Sequence, residues 1–238
     1  MSQTHAMTRA IRWTAGGFGL VAMGYAAVLA TTWSRYGHVT SASPEERDPL
    51  LDQYMPDYDV AERHHVRVAA PAAITLSAAT HTDLDQSRIV RAIVRARELV
   101  LGARPDGVTR PTGLVAQTTS LGWRVLAETP GREVVVGAVT QPWLPNVVFR
   151  GLAPEEFRAF HEPGYVKIVW TLRADPVGDT ESIFRTETRV LTTDPVARAK
   201  FRWYWARFSP GIVLIRRVAL RLLKTDAERR ALEARPTS

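Results

Sequence analysis

The chain has no cysteine among its 238 residues. Disulfide staples, thiolate zinc sites, iron–sulfur clusters and cysteine nucleophiles are thereby excluded. The same absence fits reducing and oxidising compartments alike, so it does not locate the protein. Also missing are a GxSxG elbow, an HExxH helix, a P-loop and a complete dinucleotide fingerprint, which leaves the common motif-borne enzyme classes without support. Gly17-Phe18-Gly19 is no substitute, because no strand precedes it and no third glycine follows at the spacing of a phosphate-binding turn. The histidines His5, His38, His64, His65, His81 and His161 show no compact metal-ligand spacing, and ordinary surface or core roles are expected of them. No metal and no cofactor is expected, and no residue is assigned a catalytic role.

What is present is the balance of a chain that can bury a core: 45% apolar residues against 23% charged. From Trp13 to Ser34 there is no charged residue, a run that reaches the roughly 20 residues a helix needs to span a hydrocarbon core. Trp13 and Trp33 stand near its two ends, as in an interfacial aromatic belt. Three readings are open: an uncleaved transmembrane anchor, a signal peptide cut after Val28 and Ala30, and a buried helix. The anchor is the expectation carried forward, giving a single-pass membrane protein. Arg9 and Arg12 before the run, against Arg35 and Arg47 diluted by Glu45, Glu46 and Asp48 after it, favour an extracytoplasmic domain.

The expected organisation is a short basic N-terminus (1–12), the membrane helix (13–34), a linker (35–55) rich in Ser, Pro and acidic residues, a folded domain (56–228) and a tail (229–238). Within the domain a strand from Tyr58 to Val68 is followed by a short helix opened by Pro71 and by a second helix capped by Asp85 and closed by Gly102. Strands Trp123 to Glu128 and Glu133 to Thr140 flank the turn Thr129-Pro130-Gly131-Arg132. Phe157 to His161 and Tyr165 to Ala174 flank Glu162-Pro163-Gly164, and a further strand runs from Ile183 to Leu191. Asp194-Pro195 then opens a long helix whose face carries Phe201, Tyr204, Trp205, Phe208, Ile212 and Ile215 at intervals of three or four.

The last two strands align by their face patterns. Pairing Val166 with Val190, Ile168 with Thr188, Trp170 with Thr186 and Leu172 with Phe184 keeps one face largely apolar. The other face then carries Lys167, Arg173, Arg185, Glu187 and Arg189, which reads as a solvated ladder of charge. The apolar face packs on the terminal helix, giving an α+β fold in which a curved antiparallel sheet wraps a long C-terminal helix.

Here the residues resemble a known family. The segments AETPGREVVVG, FHEPGYVKIVWTLRADP, TETRVLTTD and FRWYWARFSPGIVLIR are similar to the bacterial SRPBCC group of the START-like, helix-grip superfamily, which includes lipid-transfer domains, plant pathogenesis-related proteins and polyketide cyclases. The resemblance covers roughly Pro56 to Glu228. It implies an apolar cavity between sheet and helix, bounded by Ile168, Trp170, Thr186 and Thr188 from the strands and by Tyr204, Trp205 and Phe208 from the helix. The alternative for the same residues is a filled core.

The net charge of +7 gathers at the end of the chain, where Arg198 to Arg235 hold eleven Lys or Arg against Asp226, Glu228 and Glu233. No nucleic-acid module accompanies it, so no nucleic-acid partner is expected; a solvated helix face and an anionic lipid surface are the readings left open. The expected function is membrane-tethered binding of a hydrophobic small molecule or lipid. A polyketide cyclase-like enzyme and a pocketless protein-interaction module are the alternatives.

Overall fold

The computed structural model describes residues 23–84, 87–103 and 111–234. Its centre is one antiparallel sheet of β1 (Val60–Val68), β2 (Arg124–Thr129), β3 (Glu133–Thr140), β4 (Phe149–Arg150), β5 (Val166–Pro176) and β6 (Ser182–Thr192), in the order β1-β6-β5-β3-β2 with β4 also paired to β3. Helices α3 (Ala72–His81), α4 (Arg88–Leu101), α5 (Leu114–Ser120) and α7 (Pro195–Glu233) accompany the sheet. A helix over residues 23–35 (α1), α2 (Pro49–Asp52) and α6 (Pro154–Ala159) complete the described elements. The α+β architecture with a long C-terminal helix across an antiparallel sheet is as expected.

Local chemistry explains the boundaries. Asp194 accepts from the amides of Val196 and Ala197 at 2.7 and 3.0 Å, and Pro195 occupies the first turn, so α7 starts where cap and proline dictate. Gly131 at φ +69 closes the β2–β3 hairpin. Gly102 at φ +68 ends α4, whose described N-cap is Ser87; Asp85 lies outside the described residues. Residues 157–161, expected as strand, belong instead to α6 and the turn after it, because Pro154 at the first turn with Glu155 and Glu156 behind it favours helix initiation.

The β5–β6 register differs by two residues from the face-pattern pairing. Ile168 faces Val190, Trp170 faces Thr188 and Ala174 faces Phe184. A two-residue slip leaves every side chain on its expected face, since the strand repeat is two. The register is decided by the connecting turn, which the backbone closes from Val177 N–H to Glu181 C=O at 3.0 Å.

On one face of the sheet Val68, Leu172, Ala174 and Phe184 pack with Leu76 and Ala79 of α3 and Leu223 and Ala227 of α7. The opposite face is not solvated. Residues 48–55, expected as linker, lie across it, with Leu51, Tyr54 and Met55 buried on Val135, Val139, Val169 and Phe157. The charge ladder is therefore roofed. Arg189, only 2% exposed, donates to Glu187 at 2.8 Å, to Asp52 at 2.6 Å and to the Met55 carbonyl at 2.8 Å. Arg63 closes on the same Glu187 at 2.9 Å. Buried ions persist only when paired in this way, which makes Glu187 a structural anion.

The single-pass membrane placement needs correction, and the extracytoplasmic assignment falls with it. Among the described residues no helix is long and apolar enough to cross a membrane. Residues 13–22, the first part of the uncharged run, lie outside the described residues. The remainder, largely exposed, touches α7 at two side chains: the Tyr25 hydroxyl donates to the Arg207 carbonyl at 3.0 Å, and Trp33 meets Trp203 with ring centroids 4.8 Å apart. At the other end α7 continues to Glu233 with Ala231 buried, so no separate tail begins at 229.

Candidate functional site

A cavity of about 300 Å³ lies between the sheet and the second half of α7. Its sheet wall is Trp170 and Leu172 of β5 with Phe184 and Thr186 of β6. Ile212, Ile215, Arg216, Ala219, Leu220 and Leu223 of α7 form the opposite wall. Positions 212, 215, 216, 219, 220 and 223 recur at the helical period, so one stripe of α7 faces the space along more than two turns. An aromatic corner closes the sheet edge, where Trp123 lies 4.9 Å from Phe149 and 6.4 Å from Trp170 between ring centroids. Leu114, Thr118 and Leu121, on α5 and just after it, supply a third side.

The expected site residues divide. Trp170 and Thr186 line the cavity. Thr188 lies one pair further along β6, opposite Trp170, and accepts from Arg216 Nη2. Tyr204, Trp205, Phe208 and Ile168 are displaced toward the start of α7. There Trp205 stacks on Phe201 at 5.8 Å, Tyr204 meets Phe208 in a tilted contact at 4.9 Å, and Ile168 joins the cluster of Phe201, Tyr204 and Trp205. That end is filled because large rings from α7, Tyr36 and Trp143 converge on it, and Arg97 of α4 donates to the Tyr204 hydroxyl at 3.3 Å. Space opens two turns later, where Ala219 and branched aliphatic residues replace the rings. Continuing the expected face beyond Ile215 by the same period reaches Ala219 and Leu223 of this cavity.

Arg216 is the one charged residue among the described residues that line the cavity. Its Nη1 and Nη2 donate to Thr186 Oγ1, at 3.5 Å, and to Thr188 Oγ1. Its Nε is buried and has no hydrogen-bond partner. Burial pulls the guanidinium pKa down to about 10, against which Glu62 acts weakly. The group therefore keeps its charge at neutral pH. No ion pair joins it to a carboxylate among the described residues; Glu62, whose charge acts on it, sits 3.6 Å from His64 Nε2.

A second cleft of about 340 Å³ runs between α1, β1 and the middle of α7 and includes Glu62, Asp59, Arg35 and Trp205. Its walls mix charge and hydroxyls, which suits water better than an apolar ligand. Among the described residues no group of three or more His, Asp or Glu is arranged to hold a metal ion.

No family model matches the chain, and no curated protein does. Among solved structures it is similar to norcoclaurine synthase from Thalictrum flavum in complex with dopamine and hydroxybenzaldehyde, at 12% identity over 83% of this chain and 100% of that one with a TM-score of 0.32. The Zhui aromatase/cyclase from Streptomyces sp. R1128 matches at 16% identity over 72% and 94% with a TM-score of 0.23. Hypothetical protein jhp0584 from Helicobacter pylori matches at 10% identity over 79% and 99% with a TM-score of 0.37. Likenesses this distant carry no argument about chemistry. The helix-grip description rests on the strand order and on α7 across the sheet.

Proposed function

We propose that this protein is a START-like binding protein that holds a hydrophobic small molecule, lipid-like or aromatic, in the cavity between the sheet and α7. The observation that carries this reading is an apolar space of about 300 Å³ with a single charged residue among its described lining. That size stands at the lower end of small-molecule sites, and an apolar wall with few polar fixing points is what such sites use. A pocketless module is disfavoured by the space itself. A cyclase-like enzyme would need a convergent acid and base at the ligand, and the described lining contributes neither histidine nor carboxylate.

The test uses the full chain and N-phenyl-1-naphthylamine, a neutral dye that brightens in apolar surroundings. A saturable one-to-one titration is expected, and Ala219→Trp, which projects a large ring into the space, should weaken it at least tenfold while the variant keeps its cooperative thermal transition. Non-saturable binding by the wild type, or unchanged affinity in a folded Ala219→Trp protein, would overturn the reading.

A further inference from the structure

The cavity's polarity is lopsided. Its wall is built from aliphatic and aromatic side chains, yet α7 inserts into it a guanidinium whose only described hydrogen bonds go to two neutral hydroxyls, Thr186 and Thr188. A guanidinium has five N–H donors. With one donor given to each threonine, the Nε hydrogen and one on each Nη remain, and the Nε is buried without a partner. The planar array of such donors is what a carboxylate fills with two parallel bonds.

Hydroxyls satisfy geometry but not charge. A cation held in an apolar wall is costly unless an opposite charge joins it, and the same low dielectric makes that partner's attraction strong. Glu62 acts on that charge through space but forms no ion pair with Arg216, and its carboxylate stands beside His64. The apolar remainder of the cavity, with Trp123, Phe149 and Trp170 at one corner, is suited to a planar or short-chain body.

We propose that the ligand of this cavity is an amphipathic anion, an aryl or acyl carboxylate, whose acid group pairs with Arg216 while its apolar body fills the space between β5, β6 and α7. This rests on the binding function proposed above and adds the ligand's chemical class. Arg216 is then the residue that fixes orientation and selects the anion, and the two threonines are positioning residues that present its fork.

The experiment compares 2-naphthoate with 2-naphthamide, which have nearly the same shape and differ in charge, by isothermal titration of the full chain at pH 7. The wild type is expected to bind naphthoate at least tenfold more tightly than naphthamide. Arg216→Gln should abolish that preference, and Arg216→Lys should keep part of it. Equal affinities in the wild type would overturn the anion proposal and leave the cavity reading standing. Binding of neither compound would overturn both. A preference that survives intact in Arg216→Gln would also overturn the proposal, since another group would then hold the acid. Should Arg216→Gln fail to fold, the wild-type ratio and Arg216→Lys decide the question without it.

Discussion

Gly122 and the Phe149 carbonyl stand so close that a Cβ on the glycine would come within 2.3 Å of that oxygen, and Gly122 holds φ +99. This contact lets β2 and β4 share the edge of β3, and it fixes the corner where Trp123 and Phe149 close the cavity. Gly122→Ala meets both a rigid backbone oxygen and an unfavourable φ, so it should destabilise the fold by roughly 1–3 kcal/mol or more. Urea denaturation reads the loss, and near-ultraviolet dichroism should report a changed Trp123 environment. A variant as stable as the wild type would show that the two strands do not abut as described.

The uncharged run near the N-terminus has a structural use that its length concealed. Arg202 lies with its guanidinium carbon 4.0 Å from the Trp33 ring centroid and donates from Nη2 to the Trp33 carbonyl at 2.9 Å. Trp33→Ala removes the ring from that guanidinium and from Trp203, and a cation–π contact at a partly exposed site is worth about 0.5–1 kcal/mol. The expected outcome is faster amide exchange across residues 23–35 with the sheet unchanged. Unaltered exchange there would mean that α1 is not held on α7 through this residue.

The elements that were legible in the sequence share one property: their signals are local. Asp194-Pro195 starts α7, Gly131 turns the β2–β3 hairpin, and alternation sorts β5 and β6 into faces. The register of that pair was not legible, because a slip of two residues conserves every face and the deciding turn at residues 177–181 has no strong signature. Nor was the roof over the charged face. Leu51, Tyr54 and Met55 stand in a segment rich in polar residues, and only the assembled sheet shows that they cover Val135, Val139 and Val169 while the Met55 carbonyl holds Arg189. In the cavity, Trp170 and Thr186 were within reach of the pattern. Arg216 was not, since an arginine on a basic helix reads as solvated until its partners Thr186 and Thr188 are known.

Glu133 gives the fold a pH dependence. Its carboxyl is buried beside Asp48 and accepts from Thr171 Oγ1 at 3.0 Å; burial first, and Asp48 next, push its pKa from 4.5 up to about 8. The folded state thus holds this proton more tightly than the unfolded chain. The associated stability is present in full below about pH 4.5 and is lost as pH rises to about 8. Glu133→Gln should flatten this decline by roughly 1–2 kcal/mol, less than the full shift implies because the carboxyl is not wholly cut off from water. Urea midpoints at pH 5, 6.5 and 8.5 test it, and parallel pH profiles for the two proteins would refute the assignment.

Thr186 and Thr188 lie on the same face of β6 and both face Arg216, but they hold it unequally: Thr188 accepts from Nη2 in close contact, whereas Thr186 accepts from Nη1 at 3.5 Å, the outer limit of a hydrogen bond. Valine keeps the shape of threonine and removes the hydroxyl. Thr188→Val leaves a donor of a part-buried cation without an acceptor, which costs about 1–3 kcal/mol. Thr186→Val removes a weak contact and makes the cavity wall more apolar, so it should cost less than about 1 kcal/mol. The measurement is paired urea denaturation at pH 7 with the slope held in common, since a change in slope would report altered compactness instead. If Thr188→Val proves no more destabilising than Thr186→Val, the guanidinium is not anchored on Thr188. If the order is reversed, Arg216 leans on the cavity-lining hydroxyl, and an anion entering the cavity would then have to compete with Thr186 for it.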